Sequence, residues 1–163
     1  MSAPLSAPGI SRDSKERLRL WIRLLRASRT IEAELRERLK KEYDTTLPRF
    51  DVMAALFRFE SGLKMSELSS ELRVANGNVT GIIERLVADG AVVRAPVAGD
   101  KRATLVRLTK KGRQEFALMA AAHRGWISDI FQGLTLDACR RIGIAMDVIA
   151  GSPGLSRPAD TDQ

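Results

Sequence analysis

Residues 68–112 have the sequence LSSELRVANGNVTGIIERLVADGAVVRAPVAGDKRATLVRLTKKG, which combines three kinds of pattern. Leu68 and Leu72 share one face of a short helix predicted from Ser66 to about Leu72, and residues 74–76 turn into a second helix that Gly90 ends. Two β-rich runs, 91–97 and 103–108, follow with the short connection AGDKR between them. Helix, turn, helix and β-hairpin in this order predict a winged helix-turn-helix.

The second helix of this stretch has two contrasting faces. Its buried stripe is predicted at positions i, i+3, i+4 and i+7, which are Val79, Ile82, Ile83 and Leu86. The opposite face carries Gly77, Gly81, Glu84 and Ala88, flanked by Asn78, Thr80 and Arg85. Because the DNA major groove admits an α-helix, this outward face is suited to enter it, and Asn and Arg are competent readers of adenine and guanine. The alternative is a surface helix that its two glycines merely weaken, by about 1 kcal/mol each.

The flanking sequence predicts four further helices. A long amphipathic helix runs from Ser14 to about Tyr43, a second helix starts at Pro48, and Thr109 and Thr135 cap the last two. The first helix is longer than a small domain readily covers, so its apolar stripe suggests a partner subunit. We therefore expect a mainly α fold with a small β-hairpin wing. The predicted division is a disordered N-terminus at 1–13, dimerisation helices at 14–45 and 109–150, a winged helix-turn-helix domain at 46–108 and a flexible tail at 151–163.

Basic charge is concentrated around the predicted wing. The chain has a formal net charge of +7, and within residues 73–113 nine Lys and Arg stand against three Asp and Glu, a local excess of +6. Such a cluster indicates a polyanionic partner, which is usually nucleic acid. A solvated basic surface without a partner is the alternative.

Composition argues against several other classes of protein. The single cysteine, Cys139, cannot form a disulfide within the chain, and the single histidine, His123, has no partner ligands at metal-binding spacing. No Ser/His/Asp set or glycine-rich phosphate loop is evident, so we expect neither an enzyme nor a resident cofactor. No apolar run reaches the length of a membrane span and the first residues lack a signal-peptide pattern, so we expect a cytoplasmic protein without membrane association. Arg140 and Arg141 could lower the pKa of Cys139 for oxidant sensing, but a small buried hydrophobe explains this residue better.

The run from Leu68 to Gly112 resembles the core of the MarR family of bacterial transcriptional regulators. The wing has the pattern Asp-x-Arg at Asp100 and Arg102, followed by Leu-Thr-x-x-Gly at 108–112, and the resemblance extends from about Leu18 to Ala150. It implies a homodimer whose first and last helices intertwine and whose two winged lobes bind a pseudo-palindromic double-stranded operator. Repression is the default that the resemblance implies.

The resemblance also implies which residues contact DNA. Arg102 at the wing tip would enter the minor groove, with Lys101 beside it, and Asp100 would hold the basic side chains of the wing in position. The recognition-helix positions are Asn76, Asn78, Thr80 and Gly81, with Arg85 as a further reader. The commoner family pattern has a serine-rich helix start where this chain has Asn-Gly-Asn, so base readout would rest more on asparagines.

Asn-Gly-Asn, together with TTLPRFDVMAAL at 45–56, is similar to a subset of the family that controls degradation of aromatic acids such as hydroxycinnamates. Some of that subset respond to the coenzyme A thioester, and arginines of the first helix could meet its phosphates. The expected effector cavity lies where the dimer helices meet the winged lobe and is lined by Trp21, Leu25, Arg29, Phe50, Met53, Phe57, His123 and Trp126. The alternatives are that these side chains form ordinary core and that the arginines form the solvated face of a dimer helix.

A winged helix that binds protein instead of DNA is the main rival, since folds of this kind host both functions. The salt dependence of binding distinguishes the two, because only a DNA contact gives a slope that tracks the phosphates neutralised.

Overall fold

The computed structural model describes residues 11–73, 76–97 and 100–151, with the backbone alone for Asn76 and for 100–103. Six helices and three strands make up this described part of the chain. The helices are α1 (Arg12–Tyr43), α2 (Leu47–Arg58), α3 (Met65–Leu72), α4 (Asn76–Ala88), α5 (Lys110–Phe131) and α6 (Leu136–Ala150). The strands are β1 (Leu63–Lys64), β2 (Val92–Val97) and β3 (Asp100–Leu108). The prediction of a mainly helical fold with a small wing is confirmed.

The chain divides into two compact units. The first ends at Arg124 and contains α1 to α4, the sheet and most of α5. The second begins at Gly125 and contains the last turns of α5 and all of α6. The DNA-binding elements predicted from the sequence therefore all belong to the first unit.

Helix α1 begins at Arg12, two residues before the predicted start at Ser14. Ser11 is its N-cap, and the Ser11 hydroxyl accepts a hydrogen bond from the backbone N–H of Ser14 at 3.1 Å. A serine cap satisfies one of the N–H groups that the first turn leaves free, so the helix extends back to it. Arg12 and Asp13, which were assigned to a disordered N-terminus, are helical, whereas residues 1–10 lie outside the described part.

The core of the winged lobe is formed by α2, α3, α4 and the sheet. Its side chains with almost no exposed surface are Val52, Leu56, Leu68, Val79, Ile83, Leu86, Val92 and Val106. Helix α2 starts at Leu47, one residue before Pro48, because the Thr46 hydroxyl accepts from the N–H of Arg49. The buried stripe predicted for α4 is present, although Ile82 is only half-buried.

The sheet has three strands, not the two of a simple hairpin. Its order is β1-β3-β2, and Leu63 and Lys64 pair antiparallel with Val106 and Leu105. Gly62 makes this pairing feasible, because it adopts φ +93° and a Cβ there would lie 2.7 Å from the carbonyl oxygen of Val106. Two residues carry no alternating pattern, so the sequence alone did not reveal β1.

Two predicted boundaries were also wrong. Strand β3 begins at Asp100, so Asp100, Lys101 and Arg102 have strand backbone and do not belong to the connection, which lies outside the described residues. Helix α3 begins at Met65, one residue before the predicted start at Ser66, and its N-cap is Lys64. The Glu67 carboxylate accepts a hydrogen bond from the backbone N–H of Lys64 at 2.7 Å. Because this contact joins the N-cap to the third residue of the helix, it places the helix start at Met65.

Candidate nucleic-acid interface

Helix α4 packs one face on the lobe and leaves the other in solvent. Val79, Ile83 and Leu86 are fully buried, which holds the helix to α2, α3 and the sheet. The exposed side carries Gly77, Asn78, Thr80, Gly81, Glu84 and Arg85. A Cβ added at Gly77 or Gly81 would meet nothing within 4 Å, so these glycines are not required by the packing of the described residues. The helix backbone is therefore bare at Gly77 and Gly81, and the exposed side chains of this face surround those two positions.

The predicted DNA-contacting residues fall into two groups. Asn78, Thr80, Gly81 and Arg85 lie on the exposed side of α4. At 100° per residue, Asn78 and Arg85 occupy one flank of that side and Thr80 the other. The side chains of Asn76, Asp100, Lys101 and Arg102 lie outside the described part, which contains their backbone only: Asn76 at the first residue of α4 and the other three at the start of β3.

The C-terminal end of α4 is held by two cationic side chains. Arg49 Nη2 lies 2.5 Å from the Asp89 carboxylate, which ties this end to the first turn of α2. Lys111 Nζ donates to the backbone carbonyl of Asp89 at 2.7 Å and lies 3.6 Å from the Glu115 carboxylate. Lys111 lies in the first turn of α5, which is the positive end of that helix and an unfavourable place for a cation. The structure uses it to neutralise the negative end of α4, where a cation is favoured.

The Leu-Thr-x-x-Gly pattern has a direct packing explanation. The Thr109 hydroxyl donates to the Gly90 carbonyl at 2.8 Å and accepts from the N–H of Gly112 at 3.0 Å, so the predicted cap of α5 is confirmed. A Cβ at Gly112 would lie 2.0 Å from the carbonyl oxygen of Ala91. Thr109 and Gly112 therefore fix the first turn of α5 directly against the turn that joins α4 to β2.

The predicted effector residues are brought together only in part. Phe50 stacks on His123 with ring centroids 4.7 Å apart, and Phe116 lies 5.3 Å from Phe50 and 5.0 Å from Phe57. Burial lowers the pKa of His123, so its imidazole is neutral near pH 7. This aromatic cluster, Phe50, Phe57, Phe116 and His123, joins α2 to α5.

The other members of the predicted set lie elsewhere. Trp21 is 57% exposed, Arg29 is exposed and Leu25 is half-buried on α1, whereas Trp126 is buried in the second unit. Met53 is buried in the core and also borders a cleft. Phe116, which connects the two phenylalanines of α2, was not among the predicted residues, although its place in the apolar stripe of α5 was visible in the sequence.

The first unit contains a cleft of about 490 Å³ that sequence analysis did not identify. It lies where the ends of α1 and α4 meet the starts of α2 and α5. Its lining is Tyr43, Asp44, Thr45, Arg49, Met53, Leu86, Asp89, Lys111, Glu115, Leu118 and Met119. Arg49 Nε is buried without a hydrogen-bond partner among the described atoms, so this guanidinium retains an unused donor.

Two further kinds of site are not seen in the residues described. No group of three His, Cys, Asp or Glu side chains there is arranged to hold a metal ion. Within the same part of the chain, no helix has the length and apolar character that crossing a bilayer requires.

Comparison with known proteins identifies the family. A sequence model of the MarR family matches residues 43–103. The transcriptional repressor IacR of Pseudomonas putida is 33% identical over 114 residues, which cover 69% of this chain and 67% of IacR. The transcriptional activatory protein BadR of Rhodopseudomonas palustris is 32% identical over 104 residues, covering 63% of this chain and 59% of BadR.

Solved structures agree with the sequence relatives. A mutant of MarR from Escherichia coli, crystallised in complex with operator DNA, superposes with a TM-score of 0.73 at 25% identity, covering 85% of this chain and 99% of that structure. The helix, turn, helix and wing described above are thus the shared DNA-binding architecture. The chain belongs to the MarR family of transcriptional regulators and is a DNA-binding regulator, not an enzyme.

Proposed function

We propose that the protein binds a pseudo-palindromic operator as a homodimer, with α4 in the major groove and Lys101 and Arg102 of the wing at the neighbouring minor groove. The observation that carries this proposal is the exposed face of α4, on which Gly77 and Gly81 serve no purpose in the packing of the described residues. A backbone without side chains can approach base edges and phosphates closely, and Asn78 and Arg85 flank that surface as readers. The structural similarity to E. coli MarR, which was crystallised with operator DNA, supports an operator as the ligand.

The homodimer is supported by apolar side chains that the chain leaves uncovered. On α1 these are Leu18, Leu20, Trp21 and Ile22, and on α6 they are Ile142, Ile144, Val148 and Ile149. Helix α6 has no buried residue at all. Apolar stripes of this size on two amphipathic helices indicate burial against another subunit. We propose that residues 14–45 and 109–150 form the dimerisation helices and that residues 46–108 form the DNA-binding winged lobe.

We further propose that an aromatic acid or its coenzyme A thioester releases the protein from its operator, and that the protein is a repressor. The 490 Å³ cleft supports this, because it has a size typical of ligand sites and combines Arg49 and Lys111 with apolar Met53 and Leu86. A carboxylate there would lie near the cationic side chains of Arg49 and Lys111. The exposed arginines of α1, Arg23, Arg26 and Arg29, would meet the phosphates of a thioester.

The residue-level test is Arg102→Ala, measured by fluorescence anisotropy on a DNA fragment selected from the protein's own genomic neighbourhood. We expect weaker operator binding and a salt slope shallower by about one unit, since one phosphate-region contact is lost. Arg12→Ala is the matched control, because Arg12 is an exposed arginine at the start of α1 and lies outside the proposed dimerisation helices and winged lobe. Unchanged operator affinity in Arg102→Ala would show that the wing does not contribute to DNA binding. A binding affinity of the unmodified protein that does not depend on salt would favour a protein-binding role instead.

The effector is tested by titrating aromatic acids and their thioesters against the operator complex. Release by a carboxylate that Arg49→Gln abolishes would support the cleft as the site. If none of these compounds releases the DNA, this part of the proposal fails, while operator binding itself stands.

A further inference from the structure

The C-terminal end of α4 carries an acidic residue at a position that a helix disfavours. Asp89 directly follows Ala88, the last residue of α4, and therefore lies at the negative end of the helix dipole. A carboxylate there destabilises the helix unless a cation neutralises it. Asp89 thus weakens α4 taken alone, and its contacts with other elements have to compensate for this.

The first turns of two other helices supply these contacts. Arg49 of α2 pairs with the Asp89 carboxylate at 2.5 Å, and the Arg49 side chain is 25% exposed whereas that of Asp89 is 52% exposed. Lys111 of α5 donates to the backbone carbonyl of Asp89 at 2.7 Å. Fully exposed ion pairs are weak because water and side-chain mobility oppose them, and the partial burial of Arg49 reduces both effects. One residue therefore connects the end of α4 to α2 and to α5.

The other carboxylate near Arg49 has a cation of its own. Asp44 accepts a hydrogen bond from Lys40. The pKa of Asp44 is lowered, mainly by Lys40 and to a smaller extent by Arg49, so Arg49 lies within electrostatic reach of this carboxylate without bonding to it. Within the described part of the chain, the Asp89 carboxylate is therefore the principal acidic partner of Arg49.

Packing beneath the N-terminal half of α4 leaves space. A largely apolar cavity of about 610 Å³ lies between α2, α3 and α4, and its lining includes Asp51, Leu72, Val79 and Ile82. Protein interiors are normally filled to high density, and close packing is what fixes one element against another. Because side chains do not fill this space, packing alone leaves the tilt of α4 less constrained, and the contact at Asp89 supplies a constraint at the other end of the helix.

A small change in tilt is enough to disturb base readout, because α4 is long compared with a hydrogen bond. Its 13 residues extend over about 20 Å. A tilt of about 5° at the C-terminal end moves the N-terminal end by about 1.7 Å, which is more than the range of distances that a hydrogen bond to a base edge tolerates. Non-specific binding depends on charge and not on this placement. The tilt of α4 therefore affects sequence readout more than general affinity for DNA.

We propose that Asp89 is a positioning residue for operator recognition: its ion pair with Arg49 sets the tilt at which α4 meets the major groove, while Lys111 holds the same end to α5. The inference rests on the proposed placement of α4 in that groove. Asp89 acts through the helix and not through a contact with DNA, since phosphates repel a carboxylate. Removal of its charge would tighten DNA binding if charge alone mattered, whereas loss of positioning has the opposite sign.

The first test is Asp89→Asn in the full-length protein. Fluorescence anisotropy measures its affinity for the operator fragment and for a scrambled duplex of the same length. We expect operator affinity to fall about fivefold, because the pair that sets the tilt is broken. Affinity for the scrambled duplex should not fall, since the protein becomes more basic. Operator binding that is unchanged or tighter overturns the proposal.

A double-mutant cycle tests whether the two residues act as a pair. Arg49→Gln should lower the ratio of operator to scrambled affinity about as much as Asp89→Asn, and the double variant should lower it no further, because the pair is already broken. Losses that add in the double variant contradict a role through the pair. Arg49→Lys keeps a cation within reach of Asp89 and should retain most of the ratio. An equal loss in Arg49→Lys and Arg49→Gln would also contradict the role of the ion pair.

The matched control is Asp13→Asn, which removes an exposed carboxylate at the start of α1, outside the proposed dimerisation helices and winged lobe. It should leave the ratio of operator to scrambled affinity unchanged, and a loss equal to that of Asp89→Asn would show that the effect is not specific to Asp89. If the unmodified protein does not prefer the operator to the scrambled duplex, the proposed function fails. A preference that both Asp89→Asn and Arg49→Gln retain overturns the positioning role and leaves the proposed function intact.

Discussion

Ile83 of the recognition helix has no exposed surface, whereas Ile144 of α6 is 65% exposed. The same contrast holds for the regions around them. The winged lobe, 46–108, buries a continuous set of aliphatic side chains from α2, α3, α4 and the sheet, while α6 and the first half of α1 have no fully buried side chain and leave most of their apolar ones exposed. Of the 32 residues of α1, Leu35 and Leu39 are the ones classed as buried, and both lie near its C-terminal end.

This difference separates two kinds of stability. The lobe's apolar residues are removed from water by the same chain, so its folding depends little on protein concentration. The helices α1 and α6, which we call the arms, offer an amphipathic pattern whose apolar side one chain does not cover. Their folding free energy should therefore depend on a second subunit and on protein concentration.

The largest expected effect comes from exchanging the two isoleucines for alanine. Ile83→Ala should lower the free energy of unfolding by about 2–5 kcal/mol, because it opens a cavity in the lobe core. Ile144→Ala should cost far less in dilute protein and should instead weaken the proposed dimer. Urea unfolding at two protein concentrations, with sedimentation of both variants, measures this. An equal loss of stability in both variants at low protein concentration would contradict the distinction between lobe and arms.

The second prediction concerns two glycines of the same helix, α5. Gly112→Ala should destabilise the lobe by about 1–3 kcal/mol or more, since the new methyl group would collide with the backbone carbonyl of Ala91, which cannot rotate away. Gly125→Ala is the control, because a Cβ there meets nothing within 4 Å, and it should stabilise the helix by about 0.5–1 kcal/mol. Thermal unfolding of the two variants compares them directly, and a tolerated Gly112→Ala would contradict the packing explanation of this motif.

A third prediction separates stability from DNA binding on α4. Gly81→Ala should raise the free energy of unfolding by about 0.5–1 kcal/mol, because alanine favours the helix and the site is open. Operator affinity should fall in the same variant, since the methyl group would stand between helix and groove. Calorimetric unfolding and anisotropy measured on one preparation test both halves. Unaltered operator affinity would show that DNA does not contact this face of α4.

The smallest effect is a pH dependence at the aromatic cluster. The pKa of His123 is lowered in the folded protein, so protons bind more tightly to the unfolded chain. The contribution of His123 is fully present above the unfolded pKa near 6.5 and is lost as pH falls through that value toward the folded pKa. His123→Phe keeps a ring against Phe50 and should flatten the decline in Tm between pH 7 and pH 5. An identical decline in the variant would show that other groups cause it.

Local sequence patterns predicted some elements of the fold correctly and missed others. The period of Val79, Ile83 and Leu86 predicted the buried face of α4, and Thr109 and Thr135 predicted two helix starts, because helical periodicity and capping are local. Strand β1 and the cap at Lys64 were missed, since a two-residue strand exists only through its pairing with Val106 and Leu105. Asn78, Thr80 and Arg85 were predicted from the outward face of α4 and the other DNA-contacting residues from the family resemblance, and all of these contacts remain proposals.

The contacts that line the cleft could not be predicted from local sequence patterns. Arg49 and Lys111 are 62 positions apart in the chain, yet both bind Asp89, one through its carboxylate and the other through its carbonyl. No spacing rule connects three residues from the starts of α2 and α5 and the end of α4. The predicted effector residues shared an apolar helical pattern but lie in different places, because periodicity determines which face is buried and not which neighbour covers it.

Local sequence patterns were enough to predict the order of elements, the buried face of α4 and the basic character of the wing, because these depend on residues within a few turns of one another. The three-dimensional packing was needed to show that Gly112 must lack a side chain, that Lys111 neutralises the end of α4, and that Asp51 borders an apolar cavity. Each of these depends on the approach of segments far apart in the chain, and such approaches are set by the packing of the whole lobe.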